Sequence, residues 1–131
     1  MLASLIFSVI ASQASTAQQR PVRAEDLFRL SLVSAPVISP DGRDVALVVS
    51  RMNGPENRYD TNVWLTPVHG GSPRAITSDG NSSSPAWAPD ASRIAFVRVV
   101  NGVPQIFSYT VGSGATTQLT HLAGGASSPD R

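Results

Sequence analysis

At 131 residues, 41% apolar and with a mean hydropathy near zero, the chain has the bulk of one modest globular domain rather than of a disordered segment. All ten basic residues are arginines, spread from Arg20 to Arg131 without a cluster, and the net charge is +1, which leaves nucleic-acid binding through a basic patch without support. There is no cysteine, so disulfides and thiolate metal sites are excluded.

The chain opens on an apolar run, Leu2 to Ala11, followed by the small and polar residues Ser12 to Ala17. Ser15 and Ala17 stand at the −3 and −1 positions of a signal-peptidase site, which predicts a signal peptide over 1–17, cleavage before Gln18 and an exported, periplasmic or secreted product. The run is ten residues long, too short for a bilayer span, which takes about 20. Its one weak feature is the terminal amine as the sole positive charge ahead of it, and the alternative is an apolar N-terminus with no export role.

Residues 18–35 are expected to form a linker and a short helix. Ala24-Glu25-Asp26-Leu27-Phe28-Arg29-Leu30 has acidic residues at its start, which suit a helix dipole, and Leu27 and Leu30 on one face. Two helical turns are marginal alone in water, so this segment must dock on something.

From Pro36 the apolar period becomes that of strands. Pro36-Val37-Ile38 leads into Ser39-Pro40-Asp41-Gly42-Arg43, where Pro40 presets φ for a type I turn, Asp41 bonds to the backbone ahead, and Gly42 supplies the positive φ that closes a three-residue hairpin. The apolar run Asp44 to Arg51 follows, then the alternating Thr61 to Thr66, a Gly70-Gly71 turn and Arg74 to Thr77. The same order recurs: Pro85-Ala86-Trp87, the turn Ala88-Pro89-Asp90-Ala91-Ser92, Arg93 to Val100, Gln105 to Thr110, a Gly112-Ser113-Gly114 turn and Thr117 to Thr120.

The first turns lie 49 residues apart, whereas Val63–Thr77 and Ile106–Thr120 match at a constant offset of 43. That offset pairs Trp64 with Phe107, Gly71 with Gly114 and Thr77 with Thr120. The six-residue difference falls between the second and third strands, where copy two has a tight Asn101-Gly102 hairpin and copy one the longer Met52 to Tyr59. Repeats of about 40–50 residues with four short antiparallel strands are the signature of propeller blades. The expected fold is therefore all-β: a partial β-propeller of two four-stranded blades, 36–80 and 81–122, with 123–131 as the truncated start of a third repeat or a tail.

Ser84-Pro85-Ala86-Trp87-Ala88-Pro89-Asp90, Ile94-Ala95-Phe96 and Gln118-Leu119-Thr120 resemble the WD-like propeller repeat of TolB and related proteins. With Ala24-Glu25-Asp26-Leu27, Tyr59 to Leu65 and Gly70 to Thr77, the span from Ala24 to Pro129 is similar to the N-terminal propeller of prolyl oligopeptidase family serine peptidases, in the acylaminoacyl-peptidase and dipeptidyl-aminopeptidase-like branch. Ala88 and Ala91 depart from the Ser and Gly usual in the motif. The resemblance implies a propeller that gates short-peptide access to an α/β-hydrolase domain, and as partners that hydrolase domain or further blades; a TolB-like envelope protein-binding module is the alternative.

The chain holds no Gly-x-Ser-x-Gly elbow, so no catalytic residue is assigned; no cofactor-binding or metal residue is assigned either, and no cofactor is expected. Ser113 sits between turn glycines, and His69 and His121 are read as surface loop residues. Glu25 and Glu56 fall at the helix start and in the long loop, and Asn81-Ser82-Ser83 matches a glycosylation pattern. Trp64, Trp87 and Phe107 are expected to pack between blades, and Arg51, Arg58 and Tyr59 are the candidates for touching a substrate or partner domain.

Overall fold

The computed structural model describes residues 21–124. The expected signal peptide with its cleavage site, and residues 125–131 of the expected third repeat, lie outside the described residues.

Two four-stranded antiparallel sheets follow each other along the chain, each a meander in strand order. The first contains β1 (Ser31–Ile38), β2 (Asp44–Asn53), β3 (Arg58–Pro67) and β4 (Arg74–Ala75). The second contains β5 (Ser82–Trp87), β6 (Arg93–Val100), β7 (Val103–Thr110) and β8 (Thr116–Gln118). β1 begins five residues before the expected Pro36, because a bulge breaks the alternation that marks a strand: Ser34 pairs with Val48 and Val37 with Ala46, so two residues oppose one. The second copy repeats the bulge, between Ser83–Val97 and Ala86–Ala95. In each copy the bulged residue, Ala35 or Ser84, holds a positive φ (49° and 55°) just before a proline.

The Pro-Asp-Gly hairpin differs from expectation in length. The chain crosses from β1 to β2 in five residues, closed by Ser39 N–H to Asp44 O at 2.8 Å, with a type I turn inside it (Gly42 N–H to Ser39 O, 2.9 Å). Ala88 N–H to Arg93 O and Ala91 N–H to Ala88 O reproduce it at 2.9 Å each. Gly42 has φ 71° and Ala91 φ 60°, so the alanine stands in the left-handed region that a Cβ disfavours. Asp41 accepts from Ser39 Oγ (2.6 Å) and from Arg43 N–H (3.1 Å); Asp90 accepts from Ser92 Oγ (2.7 Å) and from Ser92 N–H (3.0 Å).

The hairpin between the second and third strands also departs from expectation, since the extra residues of copy one are mostly strand. β2 and β3 pair as far as Asn53–Arg58 and are ten residues each, against eight in β6 and β7. Copy two turns at Asn101 and Gly102 with φ 51° and 78°, as that dipeptide predicts. The expected two-turn helix is a six-residue 3-10 helix, Ala24–Arg29, with Asp26 accepting from Arg23 N–H at 2.9 Å. It docks through Phe28, whose ring lies against Gly54 at the hairpin tip.

The core lies between the sheets. Ala46, Val63 and Leu65 of the first form one buried cluster with Ile94, Phe96, Phe107 and Tyr109 of the second. Phe96 and Phe107 stack with ring centroids 5.9 Å apart. Phe96 and Ile94 are fully buried, each contributing about 1.5–3 kcal/mol by transfer from water. Trp87 Nε1 donates to Val37 O at 2.9 Å, tying the sheets together at their first strands.

Two outcomes follow for the turns. Ala91→Gly removes a left-handed strain of about 1–2 kcal/mol and adds unfolded-state entropy worth about half of that, so a net gain of about 0.5–1 kcal/mol is expected in a thermal or urea melt. Hydrogen bonds from Ser39 and Ser92, with those from backbone N–H groups, hold the Asp41 and Asp90 carboxyls below their ordinary value of 3.8. Depressed folded-state values mean stability that is present above the unfolded-state value and lost as pH falls through the folded-state value. The double variant Asp41→Asn/Asp90→Asn should therefore show a flatter acid limb below about pH 4 in urea midpoints measured against pH.

Candidate functional site

The antiparallel meander sends alternate connections to opposite ends of each sheet. One end carries the Pro-Asp-Gly-type turns and the β3–β4 and β7–β8 turns, joined by Val68 N–H to Arg43 O and, in copy two, Val111 N–H to Ser92 O. The other end carries the lengthened β2–β3 hairpin, the short helix and the link from β4 to β5. Thr61 N–H donates to Gly80 O and Val99 N–H to Asn81 O, so that link is stitched to both sheets.

This second end is built on two copies of one clamp. Thr77 Oγ accepts from Val63 N–H (2.9 Å) and donates to Asn62 Oδ1 (3.1 Å), which also accepts from Gly80 N–H (3.1 Å). Thr120, Ile106, Gln105 and Leu122 repeat it, at 2.9 Å, 2.7 Å and 3.1 Å. The clamp fixes where the chain leaves each sheet. It was legible as two amides and two threonines at the 43-residue offset, although the pairing of the threonines alone does not say what they bond to.

On this frame sits a polar cluster special to copy one. Arg58 is ion-paired with Glu56 and with Asp60, whose Oδ1 lies 3.0 Å from Nη2. Arg58 Nη1 also donates to Asn81 Oδ1 at 3.1 Å, and Asp60 Oδ2 accepts from Asn53 Nδ2 at 3.0 Å. Asp60 Oδ1 is buried and has the ion contact without a well-aligned hydrogen bond. The hydrogen bond that Arg58 donates to Glu56, opposed by desolvation and helped by the charges of Asp60 and Glu56, raises the Arg58 pKa, so the cation is permanent. Gly80 makes the cluster possible: its φ is 76°, and a Cβ there would stand 2.9 Å from Asp60 Oδ1.

Beside the cluster lies an open cleft of about 570 Å3 between Phe28, Arg51, Asn53, Pro55 and Asp60. A smaller apolar groove of about 250 Å3 between Leu27, Leu32, Met52 and Tyr59 adjoins it. The three sequence candidates are thus brought to one end of one blade, in different states. Arg58 is spent on its acidic neighbours, and Arg51 lies over the Trp64 ring (5.6 Å to the centroid) with Nε donating to Ser31 Oγ, while Tyr59 is 57% exposed on the apolar groove. Trp87 and Phe107 join the packing between sheets, whereas Trp64 faces the opposite way, half-buried on the outer side of the first sheet.

The remaining candidates are scattered. His69 is exposed in the β3–β4 turn and His121 exposed after β8, at opposite ends of different sheets. Ser113 is exposed in its turn, its Oγ accepting from Ala115 N–H at 3.3 Å. Glu25 lies in the first turn of the short helix, and Asn81 of the glycosylation pattern is held in the link by Arg58. Among the described residues no three His, Cys, Asp or Glu side chains are grouped to hold a metal ion, and no helix is long and apolar enough to cross a membrane. The arrangement offers a rim for contact.

No family model matches the chain. Among curated proteins it is 29% identical over 110 residues to the uncharacterized peptidase YuxL of Bacillus subtilis, covering 82% of this chain and 17% of that protein. It is 27% identical over 111 residues to dipeptidyl-peptidase 5 of Porphyromonas endodontalis, covering 84% and 16%. Similar solved structures include the acylaminoacyl peptidase of Pyrococcus horikoshii (TM-score 0.63, 22% identity, 72% of this chain and 15% of that one). The β-propeller domain of the Trilobed protease from Pyrococcus furiosus matches at a TM-score of 0.59 (22% identity, 71% and 28%). These two sheets have the fold of β-propeller blades, and the curated relatives just named are peptidases. TolB from Acinetobacter baumannii shares the fold as well (TM-score 0.54, 22% identity, 69% and 21%). The chain spans about one-sixth of the length of the curated relatives it matches.

Gly80→Ala combines left-handed strain with a clash against a paired carboxylate. A loss of about 2–3 kcal/mol is expected in urea unfolding, against under 1 kcal/mol for Gly112→Ala, where no atom lies within 4 Å of the added Cβ.

Proposed function

We propose that this chain is propeller from the N-terminal part of an exported peptidase of the prolyl oligopeptidase family, where it gates the access of short peptides to a hydrolase domain. The observation that carries the reading is the sequence match of more than four-fifths of the chain to peptidases of which it covers 17% and 16%, together with blades of the same fold in an acylaminoacyl peptidase. The rim with Arg51, Tyr59 and the open cleft is where a gate or a hydrolase domain would touch this blade, because loops and hairpin tips on a rigid scaffold carry contact at little cost to the core. Export rests on the Leu2–Ala17 pattern alone.

The fold likeness to TolB supports the second reading, a propeller that holds another protein in the cell envelope. The nucleotide sequence beyond codon 131 separates them. The peptidase reading expects further Pro-Asp-Gly repeats and then a Gly-x-Ser-x-Gly segment; repeats with no such segment favour the envelope module. The purified chain is expected to hydrolyse no aminoacyl or acyl-peptide substrate, and turnover abolished by a serine-directed inhibitor would refute its catalytic silence.

A further inference from the structure

The two copies give each sheet a large face and a small face in the same register. In the second sheet Ile94 pairs with Tyr109 and Phe96 with Phe107, and this large face is buried against the first sheet. In the first sheet Val45 pairs with Thr66 and Leu47 with Trp64, at the same repeat offsets, but this large face looks away from the second sheet. The small faces correspond too. Ala46–Leu65 and Val48–Val63 take the large face of the second sheet, and Ala95–Ser108 and Val97–Ile106 are their counterparts on its far side.

Burial tracks this pairing. Ala46, Val63 and Leu65 are 0–3% exposed, whereas Ala95, Ile106 and Ser108 are only half-buried; Val97 is covered like its counterpart, and so is Ala86, which pairs with Ala95. Ile94 and Phe96 are fully buried, whereas Val45 and Leu47 are half-buried and Ile38, the counterpart of Trp87, is 66% exposed. A cleft of about 270 Å3 runs between Arg51, Asn62, Trp64 and Thr77 on the outer large face. Each end of the pair thus presents the half-interface that the other end is shaped to fill. Such a contact is heterologous, and it leaves both a donor and an acceptor face free after every addition.

We propose that the chain binds a second copy of itself head to tail, the Val45–Leu47–Trp64 face of one copy receiving the Ala95–Val97–Ile106 face of the next. The joint continues the packing that already unites the two sheets, without the Arg98–Asp79 ion pair that flanks the internal one, because Val49 stands at the position of Arg98. The contact is therefore weaker than the internal one and depends on concentration. It concerns the 131-residue chain by itself: the further repeats that the peptidase reading expects would occupy the same faces, and failure of the association test leaves that reading standing.

The test is sedimentation of the 131-residue chain beside Leu47→Asp and Ile106→Asp, each blocking one face. The wild-type mass should rise with concentration through dimer to higher species. Each variant alone should stay monomeric, and the two mixed should give a one-to-one dimer that grows no further, since only one good joint can form. A monomeric wild type, variants that associate as the wild type does, or a mixture that stays monomeric would each overturn the proposal; both variants keep the N-terminal apolar run, so association through it shows in them. Circular dichroism checks that the variants fold. Should either not, Thr66→Cys and Ser108→Cys chains, in a background free of cysteine, should cross-link faster mixed than alone, and equal rates would refute the joint.

Discussion

Phe96 and Phe107, stacked on one face of the second sheet, close over Ala46, Val63 and Leu65 of the first, and on this contact the rest of the molecule depends. A four-stranded sheet with two apolar faces has nowhere in itself to hide them, and a sheet this small is marginal without a second layer. The contact works because the faces are unequal. Rings need room, and alanine and valine on the facing sheet provide it. Arg98 finishes the seam at the wet edge: its guanidinium lies over Phe107 (4.5 Å to the centroid) and pairs with Asp79, so a charged group covers an aromatic edge that would otherwise meet water.

Holding the sheets in that relation falls to the connections. The Thr77 and Thr120 clamps give acceptors to backbone N–H groups that strand exits leave unpaired, and Trp87 crosses between the sheets to satisfy Val37 O. These are polar bonds at the margins of an apolar interface, and they determine angle more than affinity. The cluster of Arg58, Asp60, Asn53 and Asn81 does similar work for the hairpin of copy one, which is why Arg58, an attractive contact residue in sequence, already has its partners in the fold.

Much of this was legible in the repeat. Strand order and the left-handed Ala91 follow from turn chemistry and constant offsets, and the Asn101-Gly102 turn from its dipeptide, because each is a local property; the propeller resemblance rests on the motifs themselves. What was not legible depends on relations that spacing does not carry. The five-residue length of the Pro-Asp-Gly connection is set by Ser39 reaching Asp44, and the early start of β1 is masked by a bulge that shifts the alternation. The 43-residue offset puts Trp64 and Phe107 alike on large faces, but among the described residues only Phe107 has a neighbouring sheet on that side. Asp60 lies in the Tyr59–Leu65 stretch that carries the resemblance, but its pairing emerges only where Gly80 lets another stretch of chain approach.

The lengthened β2–β3 hairpin has a consequence for shape. Two more residues per strand, at about 3.3 Å each, lift its tip about 7 Å higher than the matching hairpin of the second sheet. Phe28 braces that tip against Gly54, so it stands as a stiff prow and not a trailing flap. The two blades are therefore uneven at this end, the first standing proud of the second.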